Sequence, residues 1–135
     1  MLTGHSTSKK QGDAGLGIAI AWFASHRMPV SIPLTDSQEY DLVVDVEEEL
    51  KKVQVKTTSY KNKYGNYEVD LRTATNTSTR RDHKNMDLTK IDFVFIVCND
   101  GALYLIPSEK MESVSRITLG KKYAEFKVGI FSDHS

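Results

Sequence analysis

Apolar residues at Leu16, Ala19, Ile20 and Phe23 recur at the i, i+3, i+4, i+7 spacing of one helix face and predict a helix over 11–26. Ile18 and Trp22 widen that face, as expected for a helix packed on a sheet, and Pro29 closes the segment. Residues 30–33 read as a short extended piece. From Tyr40 to Val46 the pattern alternates, with Tyr40, Leu42, Val44 and Val46 on one face and Asp41, Val43 and Asp45 on the other. Glu47-Glu48-Glu49 is a charged turn, and Leu50–Thr58 a second strand with Val53 and Val55 opposite Gln54 and Lys56. Tyr67–Leu71 predicts another strand. Thr73–Lys90 has almost no apolar residue and reads as a long surface loop, a type that is usually functional or disordered. The unbroken apolar run Ile91–Cys98 predicts a central strand, Asn99–Ala102 a hairpin turn, and Leu103–Ile106 its return. Pro107-Ser108-Glu109 opens a short helix, and Ile117–Phe131 holds one or two edge strands interrupted at Gly120-Lys121-Lys122. Residues 1–10 are polar, lack a period and read as a flexible lead-in. The pattern predicts one α/β domain, with a mostly hairpin-built mixed sheet and at least one helix over a face.

Composition narrows this picture. A chain of 135 residues with 39% hydrophobic and 27% charged residues is long enough for one folded core without metal or disulfide staples. The longest apolar run, Leu16–Ala24, is about half a membrane span, and no signal-peptide pattern precedes it. A single cysteine, Cys98, excludes an internal disulfide and fits a reducing cytoplasm. Its place after the Ile91–Val97 run marks it as a packed residue. The four histidines have no zinc-ligand spacing with it. Asp92, at the head of that run, is expected to pair with a basic side chain or to cap a strand end.

Chemistry concentrates in the two strands around Glu47–Glu49. A two-residue turn at 47–48 sets Asp41 opposite Gln54, and a turn at 48–49 sets it opposite Lys56. Either register puts Asp41, Gln54 and Lys56 on one face, since opposed residues in a hairpin share a face. A hard divalent cation takes oxygen ligands, which Asp41, the Gln54 amide and the Val55 carbonyl can supply. Lys56 then stands beside the cation as a point charge, able to position or help deprotonate a water, or to stabilise charge on a phosphate. Asp13 falls on the helix stripe with Leu16, Ile20 and Phe23. It is expected to point toward the sheet as a fourth member, although an acid in a first turn also suits the helix dipole.

Asp41 followed thirteen residues later by Gln54-Val55-Lys56 resembles the signature of the PD-(D/E)XK nuclease superfamily, with Gln at the usual acid position. The resemblance is closest to a branch of small bacterial and phage nucleases that includes group I intron-encoded homing endonucleases. It extends over Gln11–Gly15, Ile32–Asp41, Val53–Thr57, Ile91–Phe93 and Tyr104–Ser108. It implies a restriction-endonuclease-like α/β fold, a central mixed sheet flanked by helices, over a nuclease domain at 11–135. It also implies a Mg²⁺-dependent endodeoxyribonuclease, with Mn²⁺ as substitute, acting on double-stranded DNA. Asp41, Gln54 and Lys56 match the catalytic positions. Asp13 stands near the family's helix Glu, and Tyr40 replaces the Pro of the family name. Gln54 leaves the site with less negative charge, so weaker metal affinity is expected. One small domain cutting both strands implies a homodimer or homotetramer, in a cytoplasm of bacterial, archaeal or phage origin.

The formal net charge of zero hides a partition: −5 over residues 1–50, +6 over 51–90 and −1 over 91–135. The basic third carries tyrosines and asparagines among its lysines and arginines, a mixture suited to phosphate and base-edge contact. Lys61, Lys63, Tyr64, Arg72, Arg80, Arg81 and Lys84 are the candidate DNA-binding residues. A Holliday-junction resolvase or structure-specific repair nuclease would share the core. A catalytically silent DNA-binding module would keep the fold with Gln54 in place of the acid, and in a protein-binding accessory domain the basic loop would be only surface.

Overall fold

The computed structural model describes residues 8–35, 38–76 and 81–132. One α-helix, α1 (Ser8–Ser25), precedes ten strands: β1 (Val30–Ser31), β2 (Leu42–Val46), β3 (Glu49–Thr58), β4 (Tyr67–Asp70), β5 (Thr73–Asn76), β6 (Arg81–Lys84), β7 (Phe93–Cys98), β8 (Ala102–Pro107), β9 (Arg116–Leu119) and β10 (Lys127–Ile130). Three 3₁₀ turns, Leu88–Lys90, Ser108–Lys110 and Lys121–Phe126, join the later strands. The main sheet runs β1-β2-β3-β7-β8-β10. Its central pair β3–β7 is parallel and its other pairs are antiparallel. The α/β class, the mixed sheet and the central place of the Ile91–Cys98 run match the sequence pattern.

Each face of the sheet has its own core. Ile18, Ala19 and Phe23 of α1 pack on Leu42, Val44 and Phe95, and Trp22 and Phe23 meet the Phe95 ring at 5.5 and 5.3 Å between centroids. On the other face Val94, Ile96 and Cys98 lie under Val69 of β4 and Ile117 of β9. β7 is therefore buried on both sides, which is why its sequence is apolar without alternation. Asp92 caps the sheet at its entrance, because its carboxylate accepts from the Lys52 N–H at 2.9 Å and its own N–H donates to the Lys52 carbonyl at 2.8 Å. Gly101 closes the β7–β8 turn at φ 97°, where a Cβ would stand 2.3 Å from the Phe131 carbonyl oxygen.

Three expectations change. The helix starts at Ser8, so residues 8–10 belong to it and not to a flexible lead-in, while residues 1–7 lie outside the described residues. The 73–90 stretch is not an irregular loop. β5 and β6 pair as an antiparallel ribbon of their own, with Thr73 opposite Lys84 and Asn76 opposite Arg81. Its residues are polar or small, so it carries no apolar periodicity to read. Among the described residues the second sheet face is closed by the β4–β9 pair and 3₁₀ turns, not by a second α-helix.

Candidate active site

The β2–β3 hairpin turns on two residues, Glu47 (φ 53°) and Glu48 (φ 72°). Val46 then faces Glu49, and Leu42 faces Val53. This is the 47–48 register, so Asp41, one residue before β2, sits opposite Gln54. The Asp41 N–H donates to the Val53 carbonyl at 2.8 Å and extends the ladder by one bond. Beyond it the backbone partner of β3 is lost, and the Asp41 side chain takes over. Its Oδ2 accepts from the Val55 N–H at 2.9 Å and from Gln54 Nε2 at 3.1 Å. Carbonyls alternate along a strand. Since the Lys52 carbonyl points to the β7 side and the Val53 carbonyl to the β2 side, the Val55 carbonyl points past the end of β2 beside Asp41.

Lys56 lies on the face of Gln54, the β4 side of the sheet, paired in register with Ile96. Burial lowers its pKa, and the charges of Asp41, Asp70 and Glu39 oppose that fall. Burial also raises the Asp41 pKa, against the Val55 N–H and the Lys56 charge. Acid and base therefore share a poorly solvated corner. The sequence pattern does not mark Glu39 or Asp70 as members of this group. Glu39 has the strand parity of Asp41, which was a usable signal, whereas Asp70 arrives from β4 with no local pattern linking it to Lys56.

Asp13 is not in this group. It is solvent-exposed on α1. The stripe that meets the sheet is Gly15, Ile18, Ala19 and Phe23, and Asp13 lies about 200° around the helix from Gly15. Moreover α1 covers the Thr57 side of β3, as the Gly15–Thr57 approach shows, while Gln54 and Lys56 occupy the other face.

The basic residues are tethered to different degrees. Lys61 Nζ stands 4.9 Å over the Tyr67 ring, and Lys63 Nζ 5.2 Å over the Tyr64 ring. Tyr64 is 77% exposed, on a turn whose Tyr64 and Asn66 N–H groups donate to Asn62 Oδ1. Arg72 grips Asp70 through Nε and Nη2, both at 3.1 Å. Lys84 bonds Glu39 at 2.9 Å and so ties the ribbon to the approach to Asp41. Arg81 opens β6, its side chain being outside the described residues, and Arg80 lies outside them altogether.

A mixed sheet with an Asp–Gln–Lys corner at its parallel pair is the arrangement expected of a nuclease of α/β fold. The PD-(D/E)XK endonuclease profile matches residues 6–127, and the chain belongs to that family. Among solved structures it is similar to one titled "The structure of a bacterial homing endonuclease: I-Ssp6803I". The identity is 30% and the TM-score 0.74, over 86% of this chain and 80% of that one. No curated protein matches the chain. PD-(D/E)XK nucleases generally use divalent metals such as Mg²⁺. Among the described residues no three His, Cys, Asp or Glu side chains gather as a metal site. The donors this chain offers are one carboxylate, the Val55 carbonyl and, after rotation of its amide, Gln54 Oε1. All three are oxygens and suit a hard cation. No described helix is long and apolar enough to cross a membrane.

Proposed function

We propose that this endonuclease is a Mg²⁺-dependent enzyme of homing type that cuts double-stranded DNA, with Mn²⁺ able to replace Mg²⁺. The observation that carries the reading is the convergence of Asp41, Gln54 and the Val55 carbonyl on one edge of β3, with Lys56 on the same face. Asp41, Val55 and Gln54 hold the cation, which when bound polarises a phosphoryl oxygen and acidifies water. Lys56 orients the attacking water and faces the charge that builds on the phosphate. Asp41 is held for this work by two N–H donors. Asp13 has no place in the reading. Lys61, Lys63, Tyr64, Arg72, Arg80, Arg81 and Lys84 line the path of the duplex, and two or more protomers cut its two strands.

Asp41→Asn and Lys56→Ala test this. Incubated with a plasmid library and Mg²⁺, both variants are expected to lose cleavage by at least about a hundredfold. Both should still shift duplex DNA in Ca²⁺. Mg²⁺-dependent nicking retained by both variants overturns the reading. A four-way junction in the same assay separates cutting of linear duplex from junction resolution.

A further inference from the structure

The β4–β9 pair carries a second cluster of charges away from the Asp41 corner. Asp70 and Arg116 are direct partners in the ladder, so their side chains share a face. Arg72 follows on the same strand end, and the Leu71 N–H donates to the Ser115 carbonyl at 2.9 Å, fixing the two backbones together. Between them lies a pocket of about 290 Å³ lined by Arg72, Ser115 and Arg116. Arg116 also lines an adjoining pocket with Tyr60, Glu68 and Asp70, and a third that reaches Lys122. Arg116 is thus common to all three pockets.

The two arginines are held differently. Asp70 takes two of the five N–H donors of Arg72 and fixes its plane. Arg116 Nη1 stands 3.7 Å from Glu68, beyond hydrogen-bond length, its charge also acts on its ladder partner Asp70, and its side chain is 59% exposed. Three donors of one fork and the whole of the other thus remain for an acceptor. Ser115 lies beside them, its N–H donating to Ser113 Oγ at 3.2 Å and its hydroxyl 3.3 Å from the same oxygen. Two guanidinium forks around one pocket are the donor geometry of a phosphate monoanion. The pocket stands on the β4–β9 pair, which covers the sheet face that carries Ile96 and its register partner Lys56.

We propose that the pocket of Arg72, Ser115 and Arg116 binds a backbone phosphodiester of the DNA held on the Lys56 side of the sheet. The proposal rests on the DNA-cutting reading above. It adds Arg116 and Ser115, which no charge run in the sequence marks, to the DNA-contacting surface.

Salt titration of duplex binding in EDTA tests it, with a short random-sequence duplex and the full chain. Arg116→Gln should lower affinity several-fold and reduce the slope of log K against log salt by about one. Arg116→Lys should keep the slope but bind more weakly, because a point charge replaces the fork. Thermal melting in the presence of inorganic phosphate, on wild type and Arg116→Gln, separates a DNA phosphate from a free one. An unchanged slope in Arg116→Gln overturns the proposal, whether or not inorganic phosphate stabilises the wild type. Should Arg116→Gln fail to fold, Arg116→Lys decides, and affinity equal to wild type overturns the proposal. Wild-type protein that binds no duplex overturns the nuclease reading itself.

Discussion

Gln54 donates a hydrogen bond to Asp41 where a carboxylate would repel it, and that single contact shapes the site without a cation. Gln54→Glu exchanges a hydrogen bond for two carboxylates side by side. The cost is expected at about 1–2 kcal/mol, from the lost bond and the like charges. Thermal melting in EDTA should therefore show Gln54→Glu below wild type, and millimolar Mg²⁺ should close the gap by binding the new carboxylate. Equal melting in EDTA would show that the amide does not hold Asp41. The same residue scale shows what the sequence reveals of the site. Asp41, Gln54, Val55 and Lys56 belong to one hairpin, so alternation and turn length locate them. Asp13 misleads because a helical stripe drawn through Leu16, Ile20 and Phe23 is centred off the true contact line, which Gly15 marks by having no side chain. A glycine leaves no apolar mark, so the face it opens is read one or two positions away.

At the scale of elements, two contacts set the stability of the frame. Where α1 crosses β3, a Cβ on Gly15 would come within 2.2 Å of Thr57 Cγ2. Gly15→Ala should therefore cost about 1–2 kcal/mol through overpacking, despite the gain in helix propensity. With Thr57→Ser, which lacks that methyl, the same substitution should become stabilising. A double-mutant cycle in urea reads this change of sign, and additive effects would refute the close approach. The β2–β3 turn holds two glutamates in left-handed backbone, a conformation that suits Asn-Gly far better. Replacing Glu47-Glu48 by Asn-Gly should raise stability by about 1–2 kcal/mol at unchanged m-value. No gain would argue that the Glu48 N–H to Asp45 contact, 2.8 Å long, already offsets the strain. Strands with a buried face were legible from their alternation, and the β7 run from its length. The β5–β6 ribbon was not, because no core selects its residues.

Over the whole molecule the two faces of the sheet do different work. The α1 side is an apolar layer that fixes β3, and the β4–β9 side shapes the polar surroundings of Lys56. Cys98 lies at the end of β7 in the second layer, where burial pushes its thiol up to about 12. Near pH 8 it should stay unlabelled by a thiol reagent while the chain is folded and react in step with urea unfolding, so it reports on the whole core. Fast labelling in buffer alone would show that this layer opens locally. The balanced net charge was a poor guide at this scale, since sign is partitioned along the chain. Even the partition missed Arg116, a lone arginine that gains its neighbours only when β9 meets β4. The parallel pairing of β3 with β7 has a further meaning for how such an enzyme changes. The two strands are adjacent in space, yet residues 59–92 run out between them and return. Lys61, Lys63, Tyr64, Arg72 and Lys84 all sit on that excursion, whereas Asp41 to Lys56 close before it begins. Insertion, deletion or drift between the two central strands can thus retarget the surface proposed to meet DNA while the proposed catalytic hairpin keeps its dimensions.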